Sequence, residues 1–115
     1  MVQGYPLPPV PEKLREMLVG YPELISRLQE VLSRSAERSR RVPADPFEDA
    51  ISALEGRLEK FASEARRELR EAEEAGDSSL IRAAAAKESL IDDARYKRHW
   101  IGDADLYAYF VTGFN

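Results

Sequence analysis

Asp45, Pro46 and Glu48 place a capping side chain, a first-turn proline and a carboxylate where the unpaired amides at the start of an α-helix need them. No proline interrupts the stretch that follows, and it runs until Gly76, a residue suited to the left-handed end of a helix. Along it Phe47, Ile51, Leu54, Leu58, Phe61, Ala65, Leu69 and Ala72 recur in steps of three and four residues, close to a heptad seam with one local slip. A helix over 46–75 is about 45 Å long. Asp77, Ser78 and Ser79 then offer a cap for a second helix at once, so the two helices must run antiparallel. The rest of the chain has to cover this hairpin.

The second arm carries Leu80, Ala83, Ala84, Leu90, Ile91 and Ala94, and its alanine run from Ala83 to Ala86 lets a neighbouring backbone come close. The pattern predicts helix over 78–100, a stop at Gly102, and a short last helix over 103–112 capped by Asp103, holding Leu106, Tyr107, Phe110 and Val111, and closed by Gly113. A strand over Leu106–Val111 is the competing reading, but a lone strand would have no partner. On the N-terminal side, Leu14, Leu18, Tyr21, Ile25, Leu28 and Leu32 mark one helix face, interrupted at Gly20-Tyr21-Pro22. Helices are therefore expected over about 12–20 and 22–38, with the Arg- and Pro-rich stretch running up to Pro46 as a connector. Pro6, Pro8, Pro9 and Pro11 make residues 1–11 an extended arm. Pro8, Pro11 and Lys13 also fit the pattern of an SH3-type ligand, but such patterns are common by chance, and an arm packed along the helices or hanging free is the favoured reading. The expected fold is all-α and bundle-like: a long antiparallel helical hairpin, a kinked N-terminal helix and a short C-terminal helix, forming one domain over 12–115.

Composition narrows the chemistry. With no cysteine, the 115-residue chain has no disulfide and no thiolate chemistry, and its single histidine, His99, excludes a multi-histidine metal centre. A net charge of −4 argues against general affinity for nucleic acid, where phosphate neutralisation dominates. The longest apolar run, Leu106–Val111, is far short of the roughly 20 residues that a bilayer span needs. Because the first residues also lack the basic-then-apolar pattern of a secretory signal, a cytoplasmic location without membrane attachment is expected. Arginine outnumbers lysine in the way of a GC-rich bacterial genome, and a phage or other mobile element is one setting for so small a protein.

Three groups of residues carry possible chemistry. Tyr96 and Trp100, set among Arg95, Lys97, Arg98 and His99, could form a stacking platform for single-stranded nucleic acid; as core, the two rings would pack under the last helix while the cations face a negative helix end. Glu64, Glu68, Glu71 and Glu74 on one helix and Glu88, Asp92 and Asp93 on the next resemble the facing carboxylates with which all-α nucleotide pyrophosphohydrolases of the MazG type hold Mg²⁺. The resemblance is partial, because Glu88 to Asp92 is one residue longer than the ExxD spacing of that family. His99, Asp103 and Asp105 make a weak metal set, split by Gly102. No glycine-rich phosphate loop or nucleophile elbow is present, so neither a catalytic residue nor a cofactor is expected.

The favoured reading is a small non-enzymatic interaction or regulatory protein that acts through helical surfaces. Because the stripe through Leu54, Leu58, Phe61 and Leu69 is longer than any other helix of the chain, part of it is expected to meet a second copy in a homodimer. Tyr96, Arg98 and Trp100 complete the candidate interaction residues. Of the last aromatic cluster, Trp100 and Phe110 are expected in the core, with Tyr96 and Leu106 beside them.

Overall fold

The computed structural model describes residues 6–42 and 44–113. The first five residues of the expected proline-rich arm, residue 43 of the expected connector and the last two residues lie outside the described residues. The described chain is all-α: α1 (Glu12–Met17), α2 (Pro22–Arg41), α3 (Pro46–Ala75), α4 (Ser78–Ala94) and α5 (Ala104–Tyr107), with a 3₁₀ turn at Lys97–His99 and a π-helical turn at Ala108–Thr112. No described helix is long and apolar enough to cross a membrane.

The hairpin forms where its local signals place it. The Asp45 carboxylate accepts from the Glu48 amide at 3.2 Å, α3 runs for 30 residues, and Gly76 ends it with φ 70°. The Asp77 carboxylate then accepts from the Ser79 and Leu80 amides and starts α4. Elsewhere four boundaries move. Helix α1 stops at Met17 rather than residue 20, because the chain turns over Leu18–Tyr21 before Pro22. Helix α2 continues to Arg41 rather than 38, so the first half of the expected connector is helical. Ser35 and Ser39 are small enough to be buried there, Ser35 donates to Asp49 at 2.6 Å and Arg38 pairs with the same carboxylate at 2.7 Å. Three arginines in the last turn also favour the negative end of the helix.

Helix α4 ends at Ala94, not at residue 100. The indole N–H of Trp100 donates to the Ala94 carbonyl at 2.9 Å in the interior. A continued helix would offer that carbonyl to a backbone amide one turn on, so bringing the indole to it requires the chain to fold back. The last helix is likewise split, α5 passing into a π turn in which the Gly113 amide donates to the Ala108 carbonyl at 3.0 Å.

The packing is two-layered. Arg27–Glu64 and Arg38–Asp49 fix α2 antiparallel on α3, while Lys87–Glu68, Arg95–Glu59 and Lys97–Glu55 fix the other arm of the hairpin. Helix α1 lies on α4. Between the layers are Leu14, Leu18, Leu28, Leu32, Leu54, Leu58, Phe61 and Ile91, all essentially inaccessible to solvent. The molecule measures 54 × 31 × 21 Å, and its radius of gyration of 16.0 Å exceeds the roughly 13 Å of a compact domain this long. At one end Trp100, Leu106 and Phe110 close the core, each at most 1% exposed. One carboxylate ties that end together: Asp103 accepts from the Leu106 amide at 2.8 Å, starting α5, and from the Glu12 amide at 2.9 Å, starting α1.

Residues 6–11 of the arm pack along the helices. Pro8, Val10 and Pro11 are buried, Gln29 donates to the Pro8 carbonyl at 2.7 Å, and the Tyr109 hydroxyl, itself taking a hydrogen bond from Arg40, donates to the Pro6 carbonyl at 2.6 Å. Both prolines of the SH3-type pattern thus face the core. Truncation of a buried aromatic typically costs about 3–5 kcal/mol, a large share of the stability of a domain this size. Trp100→Ala and Phe110→Ala are each expected to lower the midpoint of thermal unfolding by about 10 °C or more. Circular dichroism melting checks this.

Candidate functional site

Leu54 and Leu58 are fully buried and Phe61 is 1% exposed. Helix α2 covers the stripe toward Pro46 and α4 covers it toward Gly76, the two overlapping around Phe61. The stripe from Leu54 to Phe61 is therefore covered within one chain and offers no surface to the expected homodimer. Leu69 alone of those four is half-buried.

Trp100 is core, but Tyr96 is 58% exposed and is not beside it. With α4 ending at Ala94, the two rings no longer share a helix face. Tyr96 instead meets His99 edge to face at 6.3 Å, with the Arg98 guanidinium 5.6 Å from its ring. Two of the neighbouring cations are matched by carboxylates: Arg95 pairs with Glu59 and Asp92, and Lys97 pairs with Glu55. The recess beside Tyr96 is walled by Glu55, Glu59 and Asp92 as well as Arg66 and Arg95. Such an alternation of sign gives a phosphate backbone little to hold.

Of the facing carboxylates of α3 and α4, Glu64, Glu68 and Asp92 are each engaged by a cation. Arg27 donates to both oxygens of Glu64, at 2.8 and 2.9 Å, with its guanidinium 4.6 Å over the Phe61 ring. Glu68 takes Lys87 at 3.1 Å. Among the described residues no three His, Asp or Glu side chains are grouped as metal ligands. Asp103, from the set with His99 and Asp105, uses its carboxylate on two backbone amides.

The arrangement does leave an apolar groove at the hairpin tip. Lys87 lies 5.4 Å over the ring of Tyr21 and bonds Glu68, which sets the level along the hairpin at which α2 begins. Beyond that level α3 and α4 run on alone for about 10 Å, or two turns. Ala72, Ala75, Leu80, Ala83 and Ala84 line the groove between them, with Tyr21 and Lys87 at its inner end and Glu68 and Glu71 along one wall. Leu80 is 54% exposed. The alanine run was the sequence signal for a close neighbour, yet Ala83 and Ala86 are exposed and Ala84 and Ala85 only half-buried. Leu80, Ala83 and Ala84 were not among the candidate interaction residues, because half of a helix stripe reads as core until the length of the covering helix is known.

The paired hydrogen bonds from Arg27 hold the Glu64 carboxyl below the usual carboxylate range, against the opposing push of partial burial. A depressed carboxylate contributes stability at neutral pH that is lost as the pH falls through its folded value. Glu64→Gln is therefore expected to be less stable than the parent at pH 7 by on the order of 1 kcal/mol. Urea titrations should show that gap narrowing as the pH falls below the ordinary carboxylate range.

No protein-family model matches the chain, and neither a curated protein nor a solved structure is similar to it at a significant level.

Proposed function

We propose that this chain is a non-enzymatic, cytoplasmic interaction protein that docks a protein partner through the tip of its α3–α4 hairpin. The observation that carries the reading is the mismatch of the two layers: α1 and α2 turn back at Leu18–Tyr21 while α3 and α4 continue, leaving Leu80 and an alanine floor in the open. Small residues on paired helices allow a third backbone to approach closely, and an exposed leucine above them supplies the apolar contact that such packing needs. The pairing of Glu64 and Glu68 with Arg27 and Lys87 favours a scaffold over a hydrolase, since carboxylates so engaged are not gathered around a common point. The mixed charge around Tyr96 likewise favours a protein partner over a nucleic acid.

Affinity capture from the native host, with the parent chain and Ala83→Arg side by side, tests this. Ala83 is exposed, so the variant should melt within a few degrees of the parent. A protein held by the parent and lost from the variant is the expected outcome. Identical captures by both chains, or recovery of nothing but the chain itself, would contradict it.

A further inference from the structure

Resting on the tip as the docking site, we infer that its occupant is an amphipathic helix with a basic flank, supplied by another protein. The shape of the groove argues for a helix. Its floor and walls are two antiparallel helices, and the α1–α2 turn closes it at Tyr21 where the chain's own second layer stops, so the open seat is a continuation of the one that α2 fills lower down.

The charge argues for the flank. From residue 68 to residue 87 there are five carboxylates against three cations, and Glu68 and Lys87 are engaged with each other. Of those left, Glu71 stands on the groove wall, and Glu73, Glu74 and Asp77 gather at the tip. The last turn of α3 carries no basic residue to offset the negative end of its own helix. A helix entering the seat therefore meets apolar surface edged by net negative charge, four carboxylates against Arg70 and Arg82, which attracts lysine or arginine at the margin of its apolar stripe.

The same charges disfavour a second copy of this chain. The Glu68–Lys87 and Glu59–Arg95 pairs set the register of the hairpin, and in that register Glu71 lies opposite Ala84 near the middle of the groove. Two tips laid face to face about a two-fold axis would bring both Glu71 side chains together and the acidic ends alongside them.

The test uses the full chain and two labelled synthetic amphipathic peptides of equal length, with the same leucine and alanine stripe, one flanked by lysine and its twin by glutamate. The lysine peptide is expected to bind at least about tenfold more tightly than its twin at low salt, to weaken as salt rises, and to shift the backbone amide resonances of the tip. Binding should be weakened in Glu71→Lys and lost in Ala83→Arg, and Leu80→Ser provides a second block should the arginine variant unfold. The inference is overturned if the twin binds as well, if neither binds at about 1 mM, if the shifted resonances lie elsewhere, or if Ala83→Arg halves the mass of a parent dimer. It also fails separately from the proposed function: a natural partner captured through the tip but bearing an acidic docking helix would leave the function standing and remove this inference.

Discussion

A 30-residue helix whose apolar stripe no other helix of the chain can match in length is the constraint on which the structure depends. Helix α2 has 20 residues and α4 has 17, so the stripe is covered in two overlapping lengths rather than by one partner. Between them they bury Leu54, Leu58 and Phe61 completely or nearly so. Ion pairs across the layers, above all the two-pronged Arg27–Glu64 contact beside Phe61, hold the lengths in register. Pairs of this kind add little to stability when exposed, but like charges at a slipped register would count against it, so they serve specificity. Neither covering helix closes both ends. The end at Pro46 is closed by the C-terminal corner, and the end at Gly76 is left with two helices.

The corner is a packing solution with one internal hydrogen bond at its centre. Burying Trp100 to 1% removes a large apolar surface from water, and the indole N–H would be costly there without a partner. The Ala94 carbonyl is that partner, freed because α4 stops. Leu106 and Phe110 then fill the space below, and Asp103 links the start of α5 to the start of α1. The displaced residues Tyr96 to His99 are forced outward, which is why a segment that reads as mixed aromatic and basic presents its charges and only one of its two rings.

What was legible in the sequence was local. Asp45, Pro46 and Gly76 act within one turn of themselves, and both boundaries of α3 fall where they indicate. The all-α fold and the hairpin follow from those signals and from the three- and four-residue periodicity. Tertiary partners decided the rest. Ser35 and Ser39 look like linker residues until a carboxylate on α3 is opposite them, and Tyr96 and Trp100 look like one helix face until the indole takes a carbonyl six residues back. The groove was hidden for the same reason: Leu80 and Ala83 continue a stripe that is core farther along, and only the level of Tyr21 shows where the cover ends.

An incomplete second layer gives the molecule a stable body and an unfinished end, and the function proposed above amounts to completing that layer. Helical segments without a covering layer open locally more often than those buried on both sides. Residue-resolved hydrogen exchange on the isolated chain therefore addresses the central claim directly. The account predicts that amides over 54–65 are the slowest and that those over 69–75 and 80–86 exchange at least about tenfold faster. Equal protection along the whole of α3 would contradict it, because the tip would then already be covered.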